Sequence, residues 1–251
     1  MLQPVRVHHG ECPYLPDREW IADIVPGHYF DEASYEKLIE RGVRRSGKHL
    51  YRNACPGCKQ CIPLRVSTRR FRPSRSQKRV LKRNRDLRIE SGPVTDDREV
   101  IELYERYTHR WHGHKRPVTV EDYRAFLGES PFEQILMRYY LESVLVGAGW
   151  VDVLPHGLSS VYFAFDPDYA QRRLGTFSIM QEVYHARILG KPWLYLGFWV
   201  PGGRSMDYKS GFKPHEIAPG ERWEPAQSEA PIQEHDPERE KDSGHRPMPG
   251  S

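Results

Sequence analysis

The chain has 251 residues, 38 Lys and Arg against 34 Asp and Glu, and a net charge of +4. Its apolar runs fall short of the ~20 residues a bilayer span requires, and MLQPVRVHHGEC carries no signal-peptide core, so membrane partners are excluded and the expected compartment is the cytoplasm. The four cysteines then read as thiols or metal ligands before disulfides.

After an extended start, FDEASYEKLIERG (Phe30 to Gly42) has the spacing of a short amphipathic helix, with Asp31 or Ser34 as cap and Gly42 as stop. VRRSGKHLYRNAC is expected to be extended or a hairpin turning at SGK. LRVSTRRF alternates like a strand, and SRSQKRVLKRNRDL continues as a helix with Ser74 as N-cap. SGPVTDD (Ser91 to Asp97) is the best linker. DREVIELYERYTHRWH follows with helical spacing through Val100, Leu103, Tyr104, Tyr107 and Trp111, then TVEDYRAFLGE, a helix capped by Thr119 and Asp122.

From Gln134 the pattern becomes β. ILMRYYLE, VLVGAGWVDVL and LSSVYFAFD form a meander that Pro167 stops. YAQRRLG is a loop, TFSIMQEVYHARILG a helix ending at Gly190, and KPWLYLGFWV an apolar strand suited to a sheet interior. The order β-β-β-α-β resembles the core of an N-acetyltransferase. The expected fold is α+β: a cysteine-bearing amino-terminal region (1–92) packed with an acetyltransferase-like (GNAT-type) mixed sheet with helices (93–225). The acidic, Pro-rich residues 226–251 cannot repay their ordering entropy and are expected to be disordered.

Two clusters carry chemistry. Cys55, Cys58 and Cys61 recur every three residues around Pro56 and Gly57, and with Cys12 they make four thiols, enough for tetrahedral zinc or an iron–sulfur cluster. Three reduced thiols packing a small knuckle explain the spacing equally well. Beside them, Arg65 to Arg88 holds eleven Lys or Arg and one acid, a charge of +10 that leaves −6 for the remainder. Arg75, Lys78, Arg79, Lys82 and Arg83 fall at helical offsets 0, 3, 4, 7 and 8, one stripe suited to a polyanion. Further along, Arg172-x-x-Gly175 lies where acetyltransferases bind a pyrophosphate, but Phe177 breaks that signature. Arg204, Asp207, Tyr208 and Lys209 follow the end of the last strand, as site residues often do.

Several ordered blocks resemble one family. They include Cys12-x-Tyr14-Leu15-Pro16, Arg44-Arg45-Ser46-Gly47, Tyr51-Arg52-x-x-Cys55-x-x-Cys58-x-x-Cys61-x-Pro63 and Ser74-Arg75-Ser76-Gln77-Lys78-Arg79, then Phe165-Asp166-Pro167, Leu174-Gly175-Thr176, Tyr195-Leu196-Gly197 and Met206-Asp207-Tyr208-Lys209. Residues 11–223 are similar to the arginyl-tRNA–protein transferase family in its short bacterial branch, with Asn53 and Gly203 departing from the usual pattern. The resemblance implies transfer of leucine from Leu-tRNA to proteins that begin with Asp or Glu, feeding an N-degron adaptor and protease. No cofactor is required for that chemistry, because the aminoacyl ester is already activated.

On this reading Asp166 is the first candidate base and Glu182 the second, with Tyr208 or Lys209 steadying the oxyanion. Arg75, Lys78, Arg79, Arg44 and Arg45 are candidates to read the acceptor carboxylate. Lys82, Arg83, Arg85, Arg88, Arg172 and Arg173 would hold tRNA phosphates. The rival expectations are arginyl transfer, a coenzyme-A-dependent acetyltransferase and a non-catalytic zinc protein that binds nucleic acid.

Overall fold

The computed structural model describes residues 3–113, 115–203, 206–220 and 222–226. The expectation of a disordered tail therefore lies, beyond Ala226, outside the described residues.

The amino-terminal part opens with β1 (Val5–Glu11) and β2 (Glu19–Pro26), followed by α1 (Glu32–Glu40), β3 (Arg44–Ser46) and β4 (His49–Asn53). These strands form an antiparallel sheet in the order β1-β2-β4-β3. Asp31 caps α1 by accepting from the Ser34 amide at 2.7 Å. The β3–β4 hairpin turns at Gly47, where φ is +55° and a Cβ would sit 2.0 Å from the Ala125 carbonyl oxygen; only glycine fits there.

The chain then enters an eight-stranded mixed sheet through β5 (Ile62–Ser67), crosses to α2 (Arg75–Arg83), and returns to the far edge as β6 (Leu87–Pro93). Ser74 and Gln77 form a reciprocal capping box at the start of α2. The expected helix was longer. Asn84 ends it by turning its side-chain amide onto the carbonyls of Val80 and Arg172, and the supposed linker begins inside β6, which pairs with the following strand. The expected 92/93 domain boundary thus falls within this strand.

Next come α3 (Arg98–His112), α4 (Val120–Tyr123) running into a π-helical turn, β7 (Gln134–Leu141), β8 (Val144–Val153), β9 (Gly157–Phe165), α5 (Leu174–Ile188) and β10 (Trp193–Trp199), closed by β11 (His215–Ile217) and β12 (Glu224–Pro225). The strand order is β12-β11-β5-β10-β9-β8-β7-β6. Among the described residues only β9 and β10 run parallel, so the β7-β8-β9-α5-β10 unit has the acetyltransferase-like order that the sequence pattern suggests.

Three apolar cores fix the layers. α2 and α5 cover one face through Val80, Phe177, Met180 and Val183. α3 and α4 cover the other through Val100, Leu103, Tyr104 and Tyr123 around Trp150. The small sheet and α1 close over β10 beside them, where Tyr35, Ile39 and Leu50 meet Leu154 and Tyr195. Each such buried side chain contributes roughly 1.5–3 kcal/mol. The cysteine knuckle is tied into this layer by the Ile21 amide, which donates to Cys55 Sγ at 3.4 Å.

Candidate active site

The site follows from one irregularity of the sheet. β9 and β10 pair only from Gly157 to Ser159 against Trp193 to Tyr195. Beyond those residues β10 bulges at Gly197, whose φ is +78°, and the two strands diverge. A diverging pair leaves carbonyls without ladder partners, and a buried carbonyl needs a donor. Two cations supply it. Arg44 Nη2 donates to the Ser160 carbonyl at 2.7 Å, and Lys209 Nζ donates to the Leu196 carbonyl at 2.8 Å.

Arg44 reaches the gap from β3, on the small-sheet side. Its guanidinium lies flat against Gly197, where an added Cβ would stand 3.2–3.3 Å from Nη2, Cζ and Nε. The residue is only 8% exposed, yet no carboxylate among the described residues pairs with it. A buried charge is normally paired or costly.

From the opposite face, α5 brings Glu182, which is fully buried. Its Oε1 accepts from Ser178 Oγ at 2.9 Å, and Ser178 Oγ in turn meets the Tyr139 hydroxyl at 3.0 Å. Oε2 finds no partner among the described residues. Burial raises the Glu182 pKa, against the opposing influence of Ser178, Ser160 and the Lys209 charge. Lys209 responds in the complementary sense: burial, then the positive charge of Arg44, pull its pKa down to about 7 while Glu182 opposes them. Burial moves both groups toward their neutral forms.

Tyr208 flanks this pair. Its ring is 43% exposed, but the hydroxyl turns in toward the first turn of α5, 3.9 Å from where a Gly175 Cβ would be. Burial of that hydroxyl, with Tyr107 and Glu182 nearby, raises its pKa and keeps it a proton donor. Glu182, Tyr208 and Lys209 are therefore brought together. Asp166 is not available in the same way. Its Oδ2 pairs with Arg106 at 3.1 Å and its Oδ1 caps the turn at Asp168. Each of its oxygens is already engaged, one of them by a cation.

The acceptor-reading candidates separate as well. Arg45 points away from Arg44 and is wholly enclosed, with two bonds of 2.8 and 2.7 Å to Asp152, which also accepts from Tyr35. It is structural and has no face left for a ligand. Arg75, Lys78 and Arg79 lie on the solvent side of α2 with Lys82, forming the ridge that the helical spacing suggests. None of these four pairs with a carboxylate among the described residues. Gln77 Nε2 holds the inner face of α2 to the Gly211 carbonyl at 3.1 Å, so the ridge borders the segment that carries Lys209. The ridge ends where α2 meets the start of α5: Arg83 bonds the Gln171 carbonyl, and Arg172 is locked to Asp86 at 2.9 and 3.0 Å. Arg85 and Arg173 stay exposed. Arg88 pairs with Glu90 and lies over the Tyr140 ring. Of the phosphate candidates, Arg172 and Arg88 are thus already neutralised.

The four thiols are unbridged and half-buried. Burial first, then the nearby Cys12, Cys55 and Cys58, pushes the Cys61 pKa up to about 12, so the other three thiols lie within electrostatic reach of Cys61. No three His, Cys, Asp or Glu side chains among the described residues stand close enough to hold a metal ion. Tyr14 is buried beside the knuckle, within electrostatic reach of Tyr51, Cys61, Cys12 and Arg44. The sequence reading missed Tyr14, Ser160 and Ser178 as site residues. A tyrosine two places after Cys12 was the only local signal, since Ser160 and Ser178 matter through partners far along the chain.

A parallel pair pried open beside a helix-covered face, with an arginine lacking a described carboxylate partner and a lysine of lowered pKa inside, defines an acyltransferase-type site. The chain belongs to the arginine-tRNA-protein transferase family: residues 10–79 match the family's N-terminal model and residues 99–219 its C-terminal model. Aspartate/glutamate leucyltransferase of Chromohalobacter salexigens is 39% identical over 223 residues, covering 86% of this chain and 90% of that protein. The protein of the same name from Marinobacter nauticus is 37% identical over 216 residues, covering 85% and 91%. Among solved structures, FemX aligns with a TM-score of 0.47 at 7% identity over 68% of this chain and 61% of its own. L-PGS from Bacillus licheniformis gives 0.42 at 13% identity over 59% and 48%. Likenesses this loose say nothing of what the chain does.

Proposed function

We propose that this chain transfers leucine from Leu-tRNA to the α-amine of proteins that begin with Asp or Glu. The observation that carries the reading is Arg44, a buried arginine without a carboxylate partner, beside Lys209 at the opening between β9 and β10. Family membership and the names of the relatives support the same substrates.

The acceptor's side-chain carboxylate pairs with N–H groups of the Arg44 guanidinium that the Ser160 carbonyl, held by Nη2, leaves free. That contact sets the acceptor ammonium near Lys209. The free α-amine has a reference pKa of about 7.7–8.0, close enough to that of Lys209 for the lysine amine to take its proton near neutrality. The nitrogen lone pair then attacks the carbonyl carbon of the leucyl ester, and the carbonyl oxygen becomes an oxyanion within reach of the Tyr208 hydroxyl. As the tetrahedral intermediate collapses, the bond from carbonyl carbon to ribose oxygen breaks. The surplus proton on nitrogen passes to that oxygen, and Lys209 releases its own proton to solvent. Aligning two bound substrates can by itself supply about 7–11 kcal/mol. Glu182 does not touch substrate in this scheme; with Ser178 and Tyr139 it holds the ground on which Lys209 works.

The ridge from Arg75 through Lys78, Arg79, Lys82 and Arg83, extended by Arg85 and Arg173, binds tRNA phosphates in this reading, rather than being divided between acceptor and tRNA. The modified protein then meets an N-degron adaptor and protease, in the cytoplasm. No helix among the described residues is long and apolar enough to cross a membrane. Incubation with radiolabelled Leu-tRNA and peptides beginning Asp, Glu, Lys or Ala tests the proposal: label is expected on the first two alone. Equal labelling of the Ala peptide, or labelling from Arg-tRNA in preference to Leu-tRNA, would overturn it.

A further inference from the structure

Beyond the opening of β9 and β10, an aromatic run leads out of the cleft. Phe163 lies 3.9 Å from the Gly175 Cβ position that Tyr208 also approaches. Phe165 follows on the same strand, its ring 6.2 Å from that of Phe163 and stacked with it. At the end of β9 the carboxyl-terminal part of α3 reaches over the sheet edge, bringing Tyr107 to 5.2 Å and Trp111 to 5.9 Å from Phe165. Trp111 remains 52% exposed.

Single exposed apolar residues are ordinary on a protein surface. Trp111 differs in being the outer end of a continuous aromatic path that begins beside the reacting groups. Cations stand at its border, and Asp166, next to Phe165, is paired with Arg106. The Arg110 guanidinium lies 6.0 Å from the Trp111 ring and has no carboxylate partner among the described residues, and Lys115 is exposed nearby in sequence. A flat ring with cations at its border fits an unpaired nucleotide: the base stacks and the phosphate meets the charge. It fits an acidic peptide tip poorly, because nothing in the indole addresses a carboxylate.

We infer that Trp111 and Phe165 form a stacking shelf for an unpaired base at the aminoacylated 3′ end of tRNA, which threads the ester inward past Phe163 to Lys209. The inference rests on the proposed aminoacyl-tRNA donor and adds where its single-stranded end lies. The shelf reads the flat faces of bases, so it contributes affinity and alignment without choosing leucine.

Two measurements on the full chain test it. In steady-state transfer, Trp111→Ala should raise the KM for Leu-tRNA roughly 5- to 150-fold, the range of one base–aromatic stack. The KM for the Asp peptide should not change, nor should the slope of log(1/KM) against log salt, and Trp111→Phe should restore most of the loss. Because Trp111 is exposed, melting of Trp111→Ala should match wild type. In a direct assay, a deacylated RNA hairpin with an unpaired 3′ end carries 2-aminopurine as its last base. Its fluorescence should be quenched by wild type and by Trp111→Phe but not by Trp111→Ala. An unchanged KM for Leu-tRNA, or a rise confined to the peptide KM, would overturn the shelf. If wild type quenched the probe but labelled no peptide, the shelf would stand and the proposed transfer would fall.

Discussion

Replacing Lys209 by Met keeps the length of the side chain and removes its amine. The folded protein holds Lys209 near pKa 7, whereas the unfolded chain returns it to its ordinary value of 10.5. Between those values the unfolded state binds the proton and the folded state does not, so stability must rise with pH across this window and level off outside it. A full separation of 3.5 units would correspond to about 4.8 kcal/mol at ~1.36 kcal/mol per unit. The side chain keeps some contact with solvent, which screens the effect, so roughly half that gain, about 2 kcal/mol between pH 7 and 10, is the working figure. Urea unfolding of wild type at several pH values should show this slope, and Lys209→Met should flatten it. The same variant should lose about 10²- to 10⁴-fold in kcat at pH 8, the usual contribution of a general base, with the KM for Leu-tRNA unchanged. Identical pH slopes in the two proteins, or a Lys209→Met enzyme with wild-type kcat, would refute the assignment of a neutral lysine as base.

Three other outcomes follow from the geometry. Arg45→Met strands the buried Asp152 carboxylate and should destabilise the fold by about 3–5 kcal/mol, read by chemical denaturation, while any folded fraction keeps its preference for acidic acceptors. Lys82→Ala with Arg85→Ala should raise the KM for Leu-tRNA and reduce the magnitude of its log–log salt slope by about 2, leaving the peptide KM alone. Gly47→Ala should fold poorly, because the new methyl meets the Ala125 carbonyl at 2.0 Å and the backbone is left-handed there; circular dichroism of the soluble fraction checks it.

The parts of the fold written in local chemistry were legible. Asp31, the Ser74–Gln77 box and the Thr119–Asp122 box each mark a helix start within four residues of chain, and all three form. The β-β-β-α-β order followed from alternation and length. What the sequence concealed were effects with distant causes. Leu87 continues the apolar pattern of α2 well enough to pass for helix; the β assignment comes from β7, about fifty residues on, which supplies the ladder. Arg44 and Arg45 are indistinguishable as text. Neighbours on a strand point to opposite faces, so one meets Asp152 in the core and the other the open cleft, and which is which depends on how the small sheet docks. Asp166 looked like a base because Arg106, sixty residues earlier, gave no sign of neutralising it. The basic ridge was legible as a ridge, but its place relative to the cleft needed the contacts of Gln77 with Gly211 and of Asn84 with Arg172.

The most direct measurement compares otherwise identical peptides beginning with Asp and with Asn, at saturating Leu-tRNA, in wild type and in Arg44→Met. Asn has nearly the same shape and no charge. A buried charge-assisted contact of about 1.5–3 kcal/mol should give wild type a roughly 10- to 150-fold preference for Asp in kcat/KM, and Arg44→Met should bring the two peptides together by slowing Asp alone. Equal use of both peptides by wild type, or an Asp preference that survives Arg44→Met in a protein of unchanged melting temperature, would contradict the claim that this unpaired arginine reads the acceptor.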